Sequence, residues 1–183
     1  RHSSTSRGLG DVYKRQLVYS RDWAHFTPDQ AEQLANIPNV VAWKDGSADI
    51  RRYQMIRERL GDKLHWIGGA GDDMVPAYYS IGIRVYTSSI SAVAPKLSIK
   101  LHELGAAQAV DELNQVVKEH VVPLYALRTK RKGYEVSAMK AMLNMLGLHG
   151  GIVRPPLVEV SEAEKKELQN ILEGWRKADF LDL

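Results

Sequence analysis

Short apolar runs alternate along this chain with longer stretches in which apolar residues recur every three or four positions. Four runs stand out, Leu17–Tyr19, Val40–Trp43, Leu64–Ile67 and Ile83–Tyr86, with starts 23, 24 and 19 residues apart. Each is too short for a helix and lacks polar alternation, which predicts buried parallel strands. The stretches between them carry helix signals. Thr27-Pro28-Asp29-Gln30 puts an N-cap before a proline, ahead of Ala31, Leu34 and Ala35. Ser47 or Asp49 can cap a second helix bearing Ile50, Tyr53, Ile56 and Leu60 and stopping at Gly61. Asp72-Asp73 opens a third that ends near Gly82, and Pro95 starts a fourth that stops at Gly105.

From Ala106 onward the periodicity is helical only. Ala109, Leu113, Val116 and Val117 form one apolar stripe, and Val136, Met139, Leu143 and Leu146 a second. A third helix is predicted from Ser161 to about Trp175, opened by the capping box Ser161–Glu164. Four strand–helix units followed by three helices argue for an α/β fold with a parallel sheet. A doubly wound nucleotide-binding sheet would place a glycine fingerprint after its first strand. That position reads Ser20-Arg21-Asp22-Trp23, and no G-x-G-x-x-G occurs anywhere. The remaining architecture is half of an eight-stranded (β/α)8 barrel, whose chemistry gathers at the C-terminal strand ends. The expected organisation is a half barrel over 17–105 and a three-helix C-terminal extension over 106–183.

Composition trims the possibilities. At 183 residues and 44% hydrophobic content the chain can bury one real core, and no window has the run of about 18 apolar residues of a membrane helix. With no cysteine, disulfides and thiolate chemistry are excluded, which suits a cytoplasmic protein. The net charge of +3 lies in residues 1–16, which hold four Lys/Arg and one Asp; of 25 basic and 22 acidic side chains, the rest keeps 21 of each. Nucleic acid is therefore not an expected partner, and the basic run Arg128–Lys132 reads as a solvated helix end before Gly133. Residues 1–16 have no apolar period and no signal-peptide core. They are expected to be a disordered, non-native leader. The six histidines show no i, i+4 pairing, so no metal site is expected.

The predicted strand ends carry the candidate chemistry: Tyr19-Ser20-Arg21, Lys44-Asp45-Gly46, Gly68-Gly69-Ala70-Gly71 and Thr87-Ser88-Ser89. A lysine closing an apolar strand, if it points into a barrel mouth, can supply the neutral amine that attacks a ketone. The same spacing suits a lysine that reaches out to solvent. Tyr19, closing the preceding strand, can shuttle protons beside Lys44 or be a rim aromatic. The glycines around Gly69 let backbone N–H groups approach a carboxylate, or make a plain strand-to-helix turn. Ser88 and Ser89 can bind a substrate carboxylate or hydroxyl, or cap the next turn.

At these residues the sequence resembles the dihydrodipicolinate synthase/N-acetylneuraminate lyase family. NVVAWKDGSADI is similar to the family's lysine strand and LVYSRDWA to its tyrosine strand. IGGAGDD, YTSSISAVAP and KGYEVSAMKAMLNMLG…VRPPL follow in family order, from Leu17 to about Trp175. The resemblance implies a covalent imine on Lys44 with no other cofactor, Tyr19 as proton relay, and Arg21, Gly69, Ser88 and Ser89 as substrate contacts. Lys44-Asp-Gly, where synthases tend to have Glu-Ala, Ser-Arg-Asp after Tyr19, and the KGYEVSAMKA helix are closest to the 5-dehydro-4-deoxyglucarate dehydratase branch. Ala92 stands where that branch has asparagine, and Gly69-Ala70-Gly71-Asp72 where it has Gly-Leu-Pro-Thr.

The implied reaction is decarboxylating dehydration of a 3-deoxy-2-oxo sugar acid, by a homo-oligomer (dimer or tetramer) when full length. A pyruvate-dependent aldolase or synthase would use the same imine, and a non-catalytic binding protein on a decayed lyase scaffold is the reading from another class. The family's first four strands, with their Gly-Glu and Thr-Thr stretches, have no counterpart here, so the resemblance implies the C-terminal half of the TIM barrel, strands five to eight. The chain is expected to be a fragment that is inactive alone.

Overall fold

The computed structural model describes residues 14–181. The expected disorder of the leader falls mostly outside them, except that Gln16 belongs to the first strand, where it pairs with Val40. Four parallel strands form one sheet in sequence order: β1 (Gln16–Ser20), β2 (Val40–Asp45), β3 (His65–Gly68) and β4 (Val85–Tyr86). β4 is shorter than the apolar run suggested, because Ile83 is wholly buried ahead of the ladder. The register aligns Tyr19 with Lys44, Lys44 with Ile67, and Ile67 with Val85.

Helix α1 (Pro28–Ala35) starts as predicted, with Thr27 and Gln30 closing a reciprocal capping box. Asp49 rather than Ser47 caps α2 (Ile50–Leu60), accepting from the Arg52 N–H at 3.0 Å. Gly61 ends it with φ +56, a conformation that favours glycine. α2 buries Tyr53, Ile56 and Leu60, and the Tyr53 hydroxyl donates to the Ile67 carbonyl at 3.0 Å. Trp43 on β2 is fully buried, with the Phe26 ring edge-on at 5.3 Å. The alternate positions face the other way: Leu17, Tyr19 and Val85 are 46%, 37% and 55% exposed. One face of the sheet is therefore a core and the other is bare.

The chain divides into two compact units, at places other than the expected boundary after residue 105. The first runs to Ala70 and takes in Ser80–Thr87; the second holds Gly71–Tyr79 and everything from Ser88. The physical reason is that α4 (Pro95–Ala106) packs on the turn Ile90–Ala92 and on α5 (Val110–Val116), as part of the helical layer. Before it, the turn Asp72–Met74 leads into α3 (Val75–Ser80). Gly105 does not stop α4. It is buried inside the helix, where a Cβ would lie 2.7 Å from the Tyr79 ring, so it serves close packing.

The first predicted stripe becomes a longer element than expected. α5 passes through a π-helical turn, Val117–Val121, into α6 (Val122–Arg128). Pro123 accounts for the turn: it has no N–H, and its ring would clash with the carbonyl four residues back. α7 (Tyr134–Met145) buries Tyr134, Ala138, Met139, Ala141 and Met142, whereas Val136 is 38% exposed. Its inward face is rotated from the predicted stripe towards its small residues. α8 (Glu162–Lys177) has the predicted Ser161–Glu164 box and buries Leu168, Leu172 and Trp175. Of the basic run, Lys130 makes a surface pair with Glu167 at 2.7 Å and residues 129–132 are exposed, as expected of a solvated end, whereas Arg128 is half-buried and bonds Ser89. No helix among the described residues is long and apolar enough to cross a membrane.

Two outcomes are expected. Ser161→Ala removes the hydroxyl that accepts from the Glu164 N–H and should lower unfolding free energy by about 1 kcal/mol; an unchanged urea midpoint would show that the box is dispensable. The bare apolar face between edge strands should make the isolated chain self-associate, and Leu17→Lys with Val85→Lys should shift its sedimentation to a monomer. A parent chain that already sediments as a monomer would refute this.

Candidate functional site

Parallel pairing puts in-register side chains on the same face. Tyr19 and Lys44, directly paired on neighbouring strands, therefore meet on the bare face of the sheet. The Lys44 Nζ lies 4.4 Å from the centroid of the Tyr19 ring, a cation–π contact worth about 0.5–1 kcal/mol at a half-exposed position. Arg21 Nη1 donates to the Tyr19 hydroxyl at 3.3 Å, and Arg21 Nε sits 3.6 Å from Asp22. The arrangement offers an amine, a hydroxyl and a guanidinium within one small area open to a ligand.

Gly69 borders the same pair in a different way from that expected. Its N–H donates to the Asp45 carbonyl at 2.7 Å, so this donor continues the sheet ladder. A Cβ at this position would lie 2.8 Å from both Cγ and Cε of Lys44. The glycine makes room for the lysine stem. The residue after Lys44 points to the opposite face: Asp45 is buried, and its Oδ1 accepts from Ser47 N at 2.9 Å and Ser47 Oγ at 2.5 Å. This closes the turn that carries Gly46 back against Tyr19.

Ser88 and Ser89 belong to the second unit, each with protein partners there. Ser88 Oγ is 2.7 Å from Ser98 Oγ and accepts from Ser91 N at 2.9 Å. Ser89 Oγ accepts from Arg128 Nη1 at 2.8 Å, and Ser89 N donates to Asp72 Oδ2 at 3.2 Å. Asp72 organises this region. It is fully buried, it accepts from the Tyr125 hydroxyl at 3.2 Å, and its own N–H donates to that hydroxyl at 2.7 Å. The Arg128 guanidinium lies over the Tyr125 ring at 4.5 Å.

No local pattern points to these contacts of Tyr125 or Arg128, because their partners lie far along the chain. Asp72 had a weak one, an acid placed directly after a glycine run. Among the described residues, no group of His, Cys, Asp and Glu is placed to hold a metal ion.

Burial pushes the Asp72 carboxyl above its ordinary value, outweighing the hydrogen bonds from Ser88, Ile90, Tyr125 and Ser89 that pull it down. Asp73 moves up as well, through burial first and then the charge of Asp72. Tyr125 is raised by burial and by the same charge. An acid whose pKa is higher folded than unfolded stabilises the fold fully below its unfolded value, and that contribution is lost as pH rises through the folded one. Asp72→Asn keeps an acceptor oxygen and removes the titration. It should flatten the loss of stability as pH rises above the ordinary aspartate range, read from urea midpoints. An unchanged slope would take Asp72 out of the pH dependence.

Comparison with known proteins shows what the chain is similar to. The sequence profile described as the dihydrodipicolinate synthetase family matches residues 13–174. A protein of Bradyrhizobium diazoefficiens named "Probable 5-dehydro-4-deoxyglucarate dehydratase" is 34% identical over 155 residues, covering 83% of this chain and 49% of its own length. A protein of the same name from Rhizobium rhizogenes is 34% identical over 167 residues, covering 88% and 55%. Among solved structures, dihydrodipicolinate synthase from Oceanobacillus iheyensis matches with a TM-score of 0.78 at 26% identity, over 88% of this chain and 54% of its own. The Bacillus clausii synthase matches with a TM-score of 0.79 at 24% identity, over 87% and 54%. The chain spans about half the length of the curated relatives it matches.

Proposed function

The chain belongs to the dihydrodipicolinate synthetase family, and we propose on that basis that Lys44 forms an imine with the ketone of a 2-oxo acid. The observation that carries the reading is the Lys44–Tyr19 pair, an amine and a phenol held side by side on adjacent strands at a bare sheet face. The four strands would be strands five to eight of a (β/α)8 barrel.

The amine adds to the ketone carbon and the carbinolamine loses water to give a protonated imine, with Tyr19 relaying the protons. The positive nitrogen acidifies the neighbouring methylene, which gives up a proton to form an enamine. The enamine expels the next hydroxyl as water, which restores the iminium. The far carboxylate then leaves as carbon dioxide, its electron pair drawn towards the iminium nitrogen. Protonation of the resulting dienamine restores the iminium, its terminal enol becomes the aldehyde, and hydrolysis frees the product and Lys44.

The proposed substrate is 5-dehydro-4-deoxyglucarate and the product 2,5-dioxopentanoate. This choice over an aldolase reaction rests on the names of the curated relatives and on the Lys44-Asp45-Gly46 and Ser20-Arg21-Asp22 strings. Arg21, beside the Tyr19 hydroxyl, is the proposed carboxylate contact in the first unit. Gly69 contributes the space next to the imine. Ser88 and Ser89 are proposed as hydroxyl contacts on the resemblance alone.

Cyanoborohydride with pyruvate should leave a reduced adduct that peptide mapping places on Lys44, and Lys44→Ala should abolish it. Joined to the N-terminal half of a dehydratase relative, the chain should release carbon dioxide from 5-dehydro-4-deoxyglucarate. An adduct on another lysine, or none, would sink the imine reading. Cleavage to pyruvate without carbon dioxide would replace the dehydratase by an aldolase.

A further inference from the structure

Two glycines near the proposed imine lysine have no conformational reason to be glycine. Neither Gly46 nor Gly69 has a φ in the left-handed region. Both sit where a side chain would collide with the reacting pair. A Cβ on Gly46 would fall 2.8 Å from the Tyr19 hydroxyl oxygen and 2.9 Å from Tyr19 Cε2, with the Gly69 carbonyl at 3.2 Å. A Cβ on Gly69 would fall 2.8 Å from Cγ and Cε of Lys44 and 3.0 Å from the Asp45 carbonyl. Carbon–carbon contacts are most favourable at about 3.5–4.0 Å, so each case demands a displacement.

The backbone is the less yielding side of each collision. Gly46 N donates to the Ser20 carbonyl at 2.8 Å, and Gly69 N to the Asp45 carbonyl at 2.7 Å, carrying the ladders β1–β2 and β2–β3 beyond the strand ends. The Asp45–Ser47 hydrogen bonds fix the turn on the far side of Gly46. Backing a glycine away would break these bonds. Moving the Tyr19 ring, which is 37% exposed on the bare face, or the flexible Lys44 stem, would not.

We infer that Gly46 and Gly69 are positioning residues of the imine site, their missing Cβ atoms fixing where the Tyr19 hydroxyl and the Lys44 amine stand. The two act on different partners, Gly46 on the tyrosine and Gly69 on the lysine. Both open space on the ligand side of the sheet. A methyl group at either position moves a reacting group while leaving the sheet paired.

The inference rests on the imine reading, and a double-mutant cycle separates the two. Gly46→Ala and Gly69→Ala should each lower the limiting rate of cyanoborohydride trapping with pyruvate by about tenfold or more, since a misplacement near 1 Å costs about a hundredfold. The half-saturating pyruvate concentration should change little. In the Tyr19→Ala background, Gly46→Ala should cause no further loss of trapping rate and no further fall in melting temperature. Lys44→Ala should likewise reduce the melting penalty of Gly69→Ala, leaving only the share due to the Asp45 carbonyl contact.

Trapping at the parent rate in both glycine variants would overturn the inference. So would a Gly46→Ala penalty of the same size with and without the Tyr19 ring. If Gly46→Ala fails to fold, Tyr19→Ala/Gly46→Ala should fold; a double variant that is also unfolded would assign the glycine to the strand and overturn the inference. A parent protein that traps nothing at Lys44 defeats the imine reading, while the melting cycle still decides the glycine contacts.

Discussion

The parallel register between β1 and β2 is the constraint on which the rest depends. Because Tyr19 pairs with Lys44, and side chains alternate faces at every residue, the two emerge on the same side of the sheet. A slip of one residue would pair Tyr19 with Trp43 or Asp45 and turn the lysine towards the helices. Trp43 prevents this. It is fully buried, capped by the Phe26 edge, and no other residue of the strand could fill that volume. The core thus sets the direction of the lysine from the other face of the sheet.

The helix behind the sheet reinforces that register with a polar contact. Tyr53 reaches from α2 and places its hydroxyl 3.0 Å from the Ile67 carbonyl, with the Trp43 carbonyl at 3.4 Å. One hydroxyl thereby touches the two strands on either side of the Lys44–Ile67 pairing. The turn after β2 depends on Asp45 in the same manner. Its carboxylate holds Ser47, and the intervening Gly46 closes against Tyr19. Packing on the buried face and the Lys44–Tyr19 pair on the bare face are two results of one alternation.

Much of this was legible in the sequence, for physical reasons that can be named. Thr27-Pro28 and Ser161–Glu164 are local signals whose partners lie within three residues, and both caps formed as read. The strands were visible because Val40–Trp43 and Leu64–Ile67 leave no polar face. The failures share an opposite cause. Gly105 looked like a helix stop because its partner, the Tyr79 ring, lies outside any local window. The inward face of α7 was misjudged because small residues pack closely, and Ala138 and Ala141 are buried where Val136 is not. The Asp72–Tyr125 contact spans 53 residues, beyond any spacing rule. Lys44 and Tyr19 stand out in the sequence because a strand end is a local feature; the glycines beside them became readable only with the contacts in place.

The π-helical turn at Val117–Val121 keeps the two ends of a long helix in phase despite an extra residue between them. A π turn accommodates one residue more than the α-helix it interrupts, and each residue turns an α-helix by about 100°. Because the turn absorbs that residue, Tyr125 and Arg128 keep the phase set by α5. Straightening the turn into α-helix without shortening the chain would swing those two side chains by roughly 100°. Tyr125 would leave Asp72, and Arg128 would leave Ser89, without a change in the identity of either. A related chain one residue shorter within the turn could instead run through as plain α-helix and still bring the same two side chains to Asp72 and Ser89.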